Sequence, residues 1–270
     1  MPALSLPGVN LDYDTTGAGP HLVLIAGAPG NSTVFRKTIG PLSKHFTVTV
    51  YSRRGFSKSH LVGAQDYSKR LETDADDAAA LIRHVTGGES AFVFGTSAGA
   101  IVAQQLLLRQ PETVRMCVSH EPPSLAVVPN RAEAAGFFEQ VLYPLYRAQG
   151  PEPALALFFS VASSDDERAC WEVMSCRPDA SAEMRGDVNS FFERELLDYP
   201  NSELDVEALK DQKDKFVGCV GHFSRGKPGG APIEIIAELL DCKLVETMGG
   251  HIGYYTHPEE FAETMKAVFS

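Results

Sequence analysis

A chain of 270 residues, 44% hydrophobic and 22% charged, is long enough to bury a sizeable core and reads as one globular domain with an insertion. Its 24 Lys and Arg against 35 Asp and Glu leave a net charge of -11, which argues against a nucleic-acid or anionic-membrane partner. No basic segment followed by an apolar stretch opens the chain, the apolar runs are strand-sized, and the five cysteines contain no C-x-x-C pair, so a reducing, cytoplasmic setting without a metal site is expected.

In chain order, Ala3 to Leu6 and Val9 to Asp14 read as a hairpin around Pro7-Gly8. Short apolar strands follow at Leu22 to Ile25, Phe46 to Tyr51, Ala91 to Phe94 and Met116 to Ser119. They alternate with helix-length segments at Thr33 to Leu42, Arg70 to Thr86 and Ala98 to Arg109. Such alternation predicts a mostly parallel, eight-stranded sheet with helices on both faces. The helix from Arg70 carries Leu71, Ala75, Ala78, Leu81, Ile82 and Val85 at helical spacing, with Glu72, Asp74, Asp76 and Asp77 near its start as the helix dipole favours. From Pro122 to about Leu204 the strand pattern stops, and the segment reads as an inserted helical cap. The α/β pattern then resumes with the strand Phe216 to Gly221, a helix around Ile233 to Leu240, the strand Lys243 to Met248 and a closing helix, Pro258 to Phe269. The expected organisation is a core of residues 1–121 and 205–270 with a cap of residues 122–204.

Gly95-Thr96-Ser97-Ala98-Gly99 matches G-x-S-x-G between a strand and a helix, the setting in which that motif presents a nucleophile. A serine on so tight a turn adopts a strained backbone, and the flanking residues must be small to clear the adjacent strand and helix. The next N–H, of Ala98, lies at a helix start, where an unpaired donor and the helix dipole meet a developing oxyanion. In an open parallel sheet the partners of Ser97 come from loops at the carboxyl ends of strands. The loop Ala26-Gly27-Ala28-Pro29-Gly30 supplies the N–H of Ala28 as a second oxyanion donor. His251, in the glycine-flanked turn Gly249 to Gly253 after the last strand, is the candidate base. The loop after Gly221, His222 to Gly226, contains no Asp or Glu. Glu121, in His120-Glu121-Pro122-Pro123 after the strand beside the nucleophile's, is the preferred acid, with Asp241 as the alternative. His120 reads as a packed or cleft-lining residue. Arg53-Arg54-Gly55 reads as a turn with solvated arginines, although it has the charge to hold an anionic group.

These segments, Ala26 to Gly30, Gly95 to Gly99 and Gly249 to Phe261, resemble the α/β-hydrolase superfamily across nearly the whole chain. The His120-Glu121-Pro122 segment is similar to that of the fungal zearalenone lactonases, whose Ser-Glu-His triad has its glutamate in an H-E-L-P segment. The resemblance implies Ser97 as nucleophile, Glu121 as acid, His251 as base and Ala28 and Ala98 as oxyanion donors. The expected activity is serine-dependent cleavage of an ester or lactone of a small hydrophobic, polyketide-like molecule in secondary metabolism, with no cofactor. Trp171, Tyr143, Phe138, Phe159 and Ile252 are the candidate pocket residues, since the cap is rich in aromatics that either pack on one another or face a ligand. The same fold also hosts carbon-carbon bond hydrolases, biosynthetic cyclases or lyases, and hydrolase-derived receptors, so those readings stand as alternatives. A homodimer is compatible with the chain.

Overall fold

The computed structural model describes residues 2–162, 167 and 181–270. Among these residues nine strands form one sheet: β1 (Ala3–Leu6), β2 (Val9–Thr16), β3 (His21–Ile25), β4 (Thr47–Tyr51), β5 (His60–Leu61), β6 (Ala91–Thr96), β7 (Val114–His120), β8 (Phe216–Gly221) and β9 (Lys243–Thr247). Eight lie in the order β1-β2-β4-β3-β6-β7-β8-β9, and the two-residue β5, which has no sequence signal, pairs with β2. Pairing is antiparallel around β2 and parallel from β4 to β9.

Both faces of the parallel sheet are covered, which is why its inner strands β3, β6 and β8 are largely apolar, while the edge strand β9 keeps Lys243 and Glu246 exposed. Side chains alternate across a strand, and the core divides accordingly. Leu22, Leu24, Phe92 and Phe94 join one buried cluster with Phe35, Phe46 and Phe261. Val23, Ile25 and Val93 join the other with Ala75, Ala78, Leu81, Ile82, Ile101, Leu106, Ile233 and Ile236. The helices Arg70–Thr86, Ala98–Arg109 and Ala231–Leu240 therefore bury their apolar stripes on one face, while the helix Pro258–Val268 packs on the other. Gly87, left-handed at φ 71°, closes the first of these helices by donating its N–H to the Arg83 carbonyl.

Thr33 to Leu42 is not one helix. Asn31 accepts the Thr33 N–H and caps a 3-10 turn, Ser32–Phe35, and a separate four-residue helix follows, Ile39–Leu42. Pro41 explains the break: it lacks the N–H that a continuous helix would bond to the Lys37 carbonyl, and it sits instead in the first turn of the second helix. Between β7 and β8 the described residues contain helices and no strand, including Arg131–Gly136, Tyr143–Gln149, Pro151–Ala162 and Ala182–Arg194, with a π-helical turn at Phe137–Leu142. None of the described helices is long and apolar enough to cross a membrane.

Candidate active site

Strand register gathers the predicted residues. Ile25 of β3 lies opposite Gly95 of β6, and Thr96 opposite His120 of β7, so the loops after these three strands emerge side by side. Ser97 sits at φ 53° and ψ -126°, a strained conformation for a residue with a side chain, at the start of the helix Ala98–Arg109. Its N–H donates to the His120 carbonyl at 2.9 Å, which ties the turn to β7. Close approach explains the flanking glycine: a Cβ on Gly99 would lie 2.3 Å from the Ile25 carbonyl oxygen. The Ala26 to Gly30 loop presses on the same turn, since a Cβ on Gly27 would lie 2.8 Å from that of Ser97. Ala28, half-buried, therefore stands in the loop next to Ser97, and Ala98 occupies the first position of the helix.

Glu121 emerges from β7 at φ 45° and is 1% exposed. Its Oε2 lies 2.7 Å from His251 Nδ1, and its Oε1 accepts the Gly221 N–H at 2.8 Å. The loop after β8 thus lacks an acid, but the last residue of β8 provides a backbone donor to the acid from β7. Asp241, the alternative, lies at the end of the helix Ala231–Leu240 with its side chain 93% exposed beside Lys213. Burial alone would lower the His251 pKa, but the hydrogen bond and charge of Glu121, with the charge of Glu167, hold it above the ordinary imidazole value. Burial pushes the Glu121 carboxyl up, yet His120, the bond to His251 and the Gly221 N–H together hold it below its usual range. His120 is a packed residue: burial takes its pKa down to about 4 against the pull of Glu121, and Nδ1 pairs with the Thr96 hydroxyl at 3.0 Å.

Ser97, Glu121 and His251 open onto a cavity of about 410 Å³ whose walls are Pro123, Leu125, Phe137, Phe138, Phe158 and Val161 with Pro228 and Pro232. Asn130 and Glu133 contribute its polar edge. Of the predicted pocket residues, Phe138 lines this cavity. Tyr143 turns its hydroxyl to Glu193, and Phe159 and Ile252 belong to the buried core, so none of the three is among the described walls. Trp171 lies outside the described residues.

The arginines of Arg53-Arg54 are buried, which corrects their reading as solvated. Arg53 bonds Asp74 and Glu195, Arg70 shares Glu195, and Arg54 pairs with Asp77 at 2.7 Å. Asp74 and Asp77 therefore face inward as counter-charges, beyond any effect on the helix dipole. Glu167 is a further buried carboxylate, 2% exposed, against the His251 turn, and nothing in its local sequence announces it.

Residues 20–151 match the alpha/beta hydrolase fold family, and the chain belongs to that family as a hydrolase of that fold. It is 31% identical over 267 residues to the uncharacterized hydrolase YraK of Bacillus subtilis, covering 97% of this chain and 93% of the relative. Among solved structures, a thermophilic esterase from Thermogutta terrifontis aligns with a TM-score of 0.76 at 17% identity, covering 100% of this chain and 98% of that one. The enol-lactonase from Burkholderia xenovorans aligns at 0.73 and 17% identity, covering 99% of each chain.

Proposed function

We propose that this hydrolase cleaves carboxylic esters or lactones of small hydrophobic molecules through an acyl-enzyme on Ser97. The observation that carries the reading is the buried Glu121–His251 pair, 2.7 Å apart, in the same cavity as the strained Ser97. Ionised Glu121 accepts the Nδ1–H of His251 and fixes the tautomer that leaves Nε2 free as a base. His251 takes the Ser97 proton as Oγ attacks the substrate carbonyl. The N–H groups of Ala28 and Ala98 stabilise the resulting oxyanion, each lowering the barrier by on the order of 3 kcal/mol. His251 then protonates the leaving alkoxide and, in the second half, deprotonates the water that releases the acyl group. In a lactone the leaving alcohol stays tethered within the product.

The walls support a neutral, apolar substrate: three phenylalanines and the prolines offer dispersion and desolvation, whereas Glu133 at the edge disfavours an anionic group. A compact polyketide-like lactone or an aryl ester meets these conditions. Residues 122–204 act in this reading as the cap that selects substrate. The placement of the acid after β7 supports a Ser-Glu-His arrangement of the zearalenone lactonase kind. The test is hydrolysis of aryl esters of graded acyl length and of macrocyclic lactones by wild type, Ser97→Ala and Glu121→Ala. Turnover that needs both side chains supports the reading, and turnover by Ser97→Ala at the wild-type rate overturns it.

A further inference from the structure

We propose that Glu167 is a positioning residue that fixes the turn bearing His251 by accepting the N–H groups on both sides of it; this rests on the reading of His251 as the base. Its Oε1 accepts the Gly250 N–H at 2.8 Å and the Ile252 N–H at 3.0 Å. Carboxylate acceptors make such bonds shorter and stronger than neutral ones. The turn fits the contact closely: a Cβ on Gly250 would stand 2.7 Å from Glu167 Oε2, so a larger residue at 250 would shift the carboxylate. His251 is thereby held at two levels, its backbone by Glu167 and its ring by Glu121 through Nδ1.

Glu167 comes from the segment between β7 and β8, which also supplies the walls Phe137, Phe138 and Phe158. The part of the chain that contacts substrate therefore also sets the position of the base. Among the described residues, the charged and titratable groups facing the His251 ring are Glu121 from the loop after β7, the neutral His120 with ring centres 6.1 Å away, and Glu167. Glu167 adds negative charge that favours the imidazolium formed when His251 holds the serine proton.

Hydrogen bonding and charge are separable at this position. In Glu167→Gln the amide oxygen still accepts both N–H groups but the charge is gone; Glu167→Ala loses both. The experiment is the rate at which a fluorophosphonate inactivates each variant as a function of pH, which reads the reactivity of Ser97 without a known substrate. Glu167→Ala is expected to react at least about tenfold more slowly at its optimum, since small misplacements of a catalytic group cost up to about a hundredfold. Glu167→Gln is expected to stay within about threefold of wild type, and in both variants the acid limb moves to lower pH as the imidazolium loses a favourable charge. A carboxylate held 2.8 and 3.0 Å from the N–H groups on either side of His251 must be felt by its ring, so an acid limb unmoved in Glu167→Gln overturns the proposal, whether or not Glu167→Ala folds. So does a wild-type rate in Glu167→Ala. Undiminished labelling of Ser97→Ala is a different failure: it overturns the reading of the site itself, and the proposal with it.

Discussion

Arg53 and Glu195, 142 residues apart, meet in the interior through two parallel N–H···O contacts of 2.7 Å. The same guanidinium donates from Nε to the Ala26 carbonyl, and the Arg53 N–H donates to the Gly30 carbonyl. Both ends of the loop bearing Ala28 are thus anchored on one residue, whose charge is matched by an acid from the segment between β7 and β8. Arg70 and the Tyr199 hydroxyl complete the cluster through Glu195 and Asp74.

Replacing Arg53 with Met leaves the Glu195 carboxylate buried beside Arg70 alone and releases the Ala26 carbonyl. Removing one partner of a buried pair costs about 3–5 kcal/mol, because the other charge is left without compensation. Urea unfolding of Arg53→Met is expected to show a loss of this size, and a change below about 1 kcal/mol would mean that the cluster carries little stability.

Gly27→Ala tests how closely the Ala28 loop abuts the nucleophile. The added methyl would lie 2.7 Å from the Thr96 carbonyl oxygen and 2.8 Å from Ser97 Cβ, so the loop and Ser97 must separate. Overpacking of this kind costs about 1–3 kcal/mol in stability, while a shift of the nucleophile by an ångström costs about a hundredfold in rate. Esterase assays beside thermal melts are expected to show a much larger loss of turnover than of folded protein.

Much of this arrangement is legible in the sequence. The helices Arg70–Thr86 and Ala98–Arg109 and the nucleophile turn declare themselves through apolar spacing and small residues, because local chemistry decides them. Glu121 was legible by its place after β7 once the loop after β8 proved to lack a carboxylate. Arg53 was not, since a buried and a solvated arginine read alike until Glu195 is brought to it. Phe159 and Ile252 show the same ambiguity for apolar residues, whose type serves a core as well as a pocket. Glu167 had no local signal because its partners are backbone N–H groups more than eighty residues away.

Glu121→Gln is expected to reduce turnover about a thousandfold to ten-thousandfold, the scale seen when the acid of such a triad becomes an amide that favours the wrong tautomer. The pH profile carries a second test. His251 must be neutral to act as base, and its pKa is held above the ordinary value by Glu121. Activity therefore rises with pH along an acid limb centred above the usual imidazole range, and in Glu121→Gln the remaining activity should show that limb at lower pH. An unchanged limb would contradict the assignment.

Asp187 links the helix Ala182–Arg194 to the core, accepting the Asn31 amide at 2.9 Å and the Ser57 N–H at 2.6 Å. Burial raises its carboxyl to about 6 even though both donors favour the ionised form. A folded-state pKa above the unfolded value means that the linked stability is fully present below about pH 4 and is lost as pH rises through about 6. The difference in melting temperature between wild type and Asp187→Asn should shift against wild type over that window. A difference that does not vary with pH would contradict the linkage.

In the proposed mechanism Ser97 forms a covalent bond to the substrate's acyl group. Intact-protein mass spectrometry after exposure to a fluorophosphonate, with wild type beside Ser97→Ala and His251→Ala, tests it most directly. The account predicts a single adduct on wild type, absent from Ser97→Ala and formed far more slowly in His251→Ala. An adduct that persists in Ser97→Ala, or none on folded wild type, would contradict it.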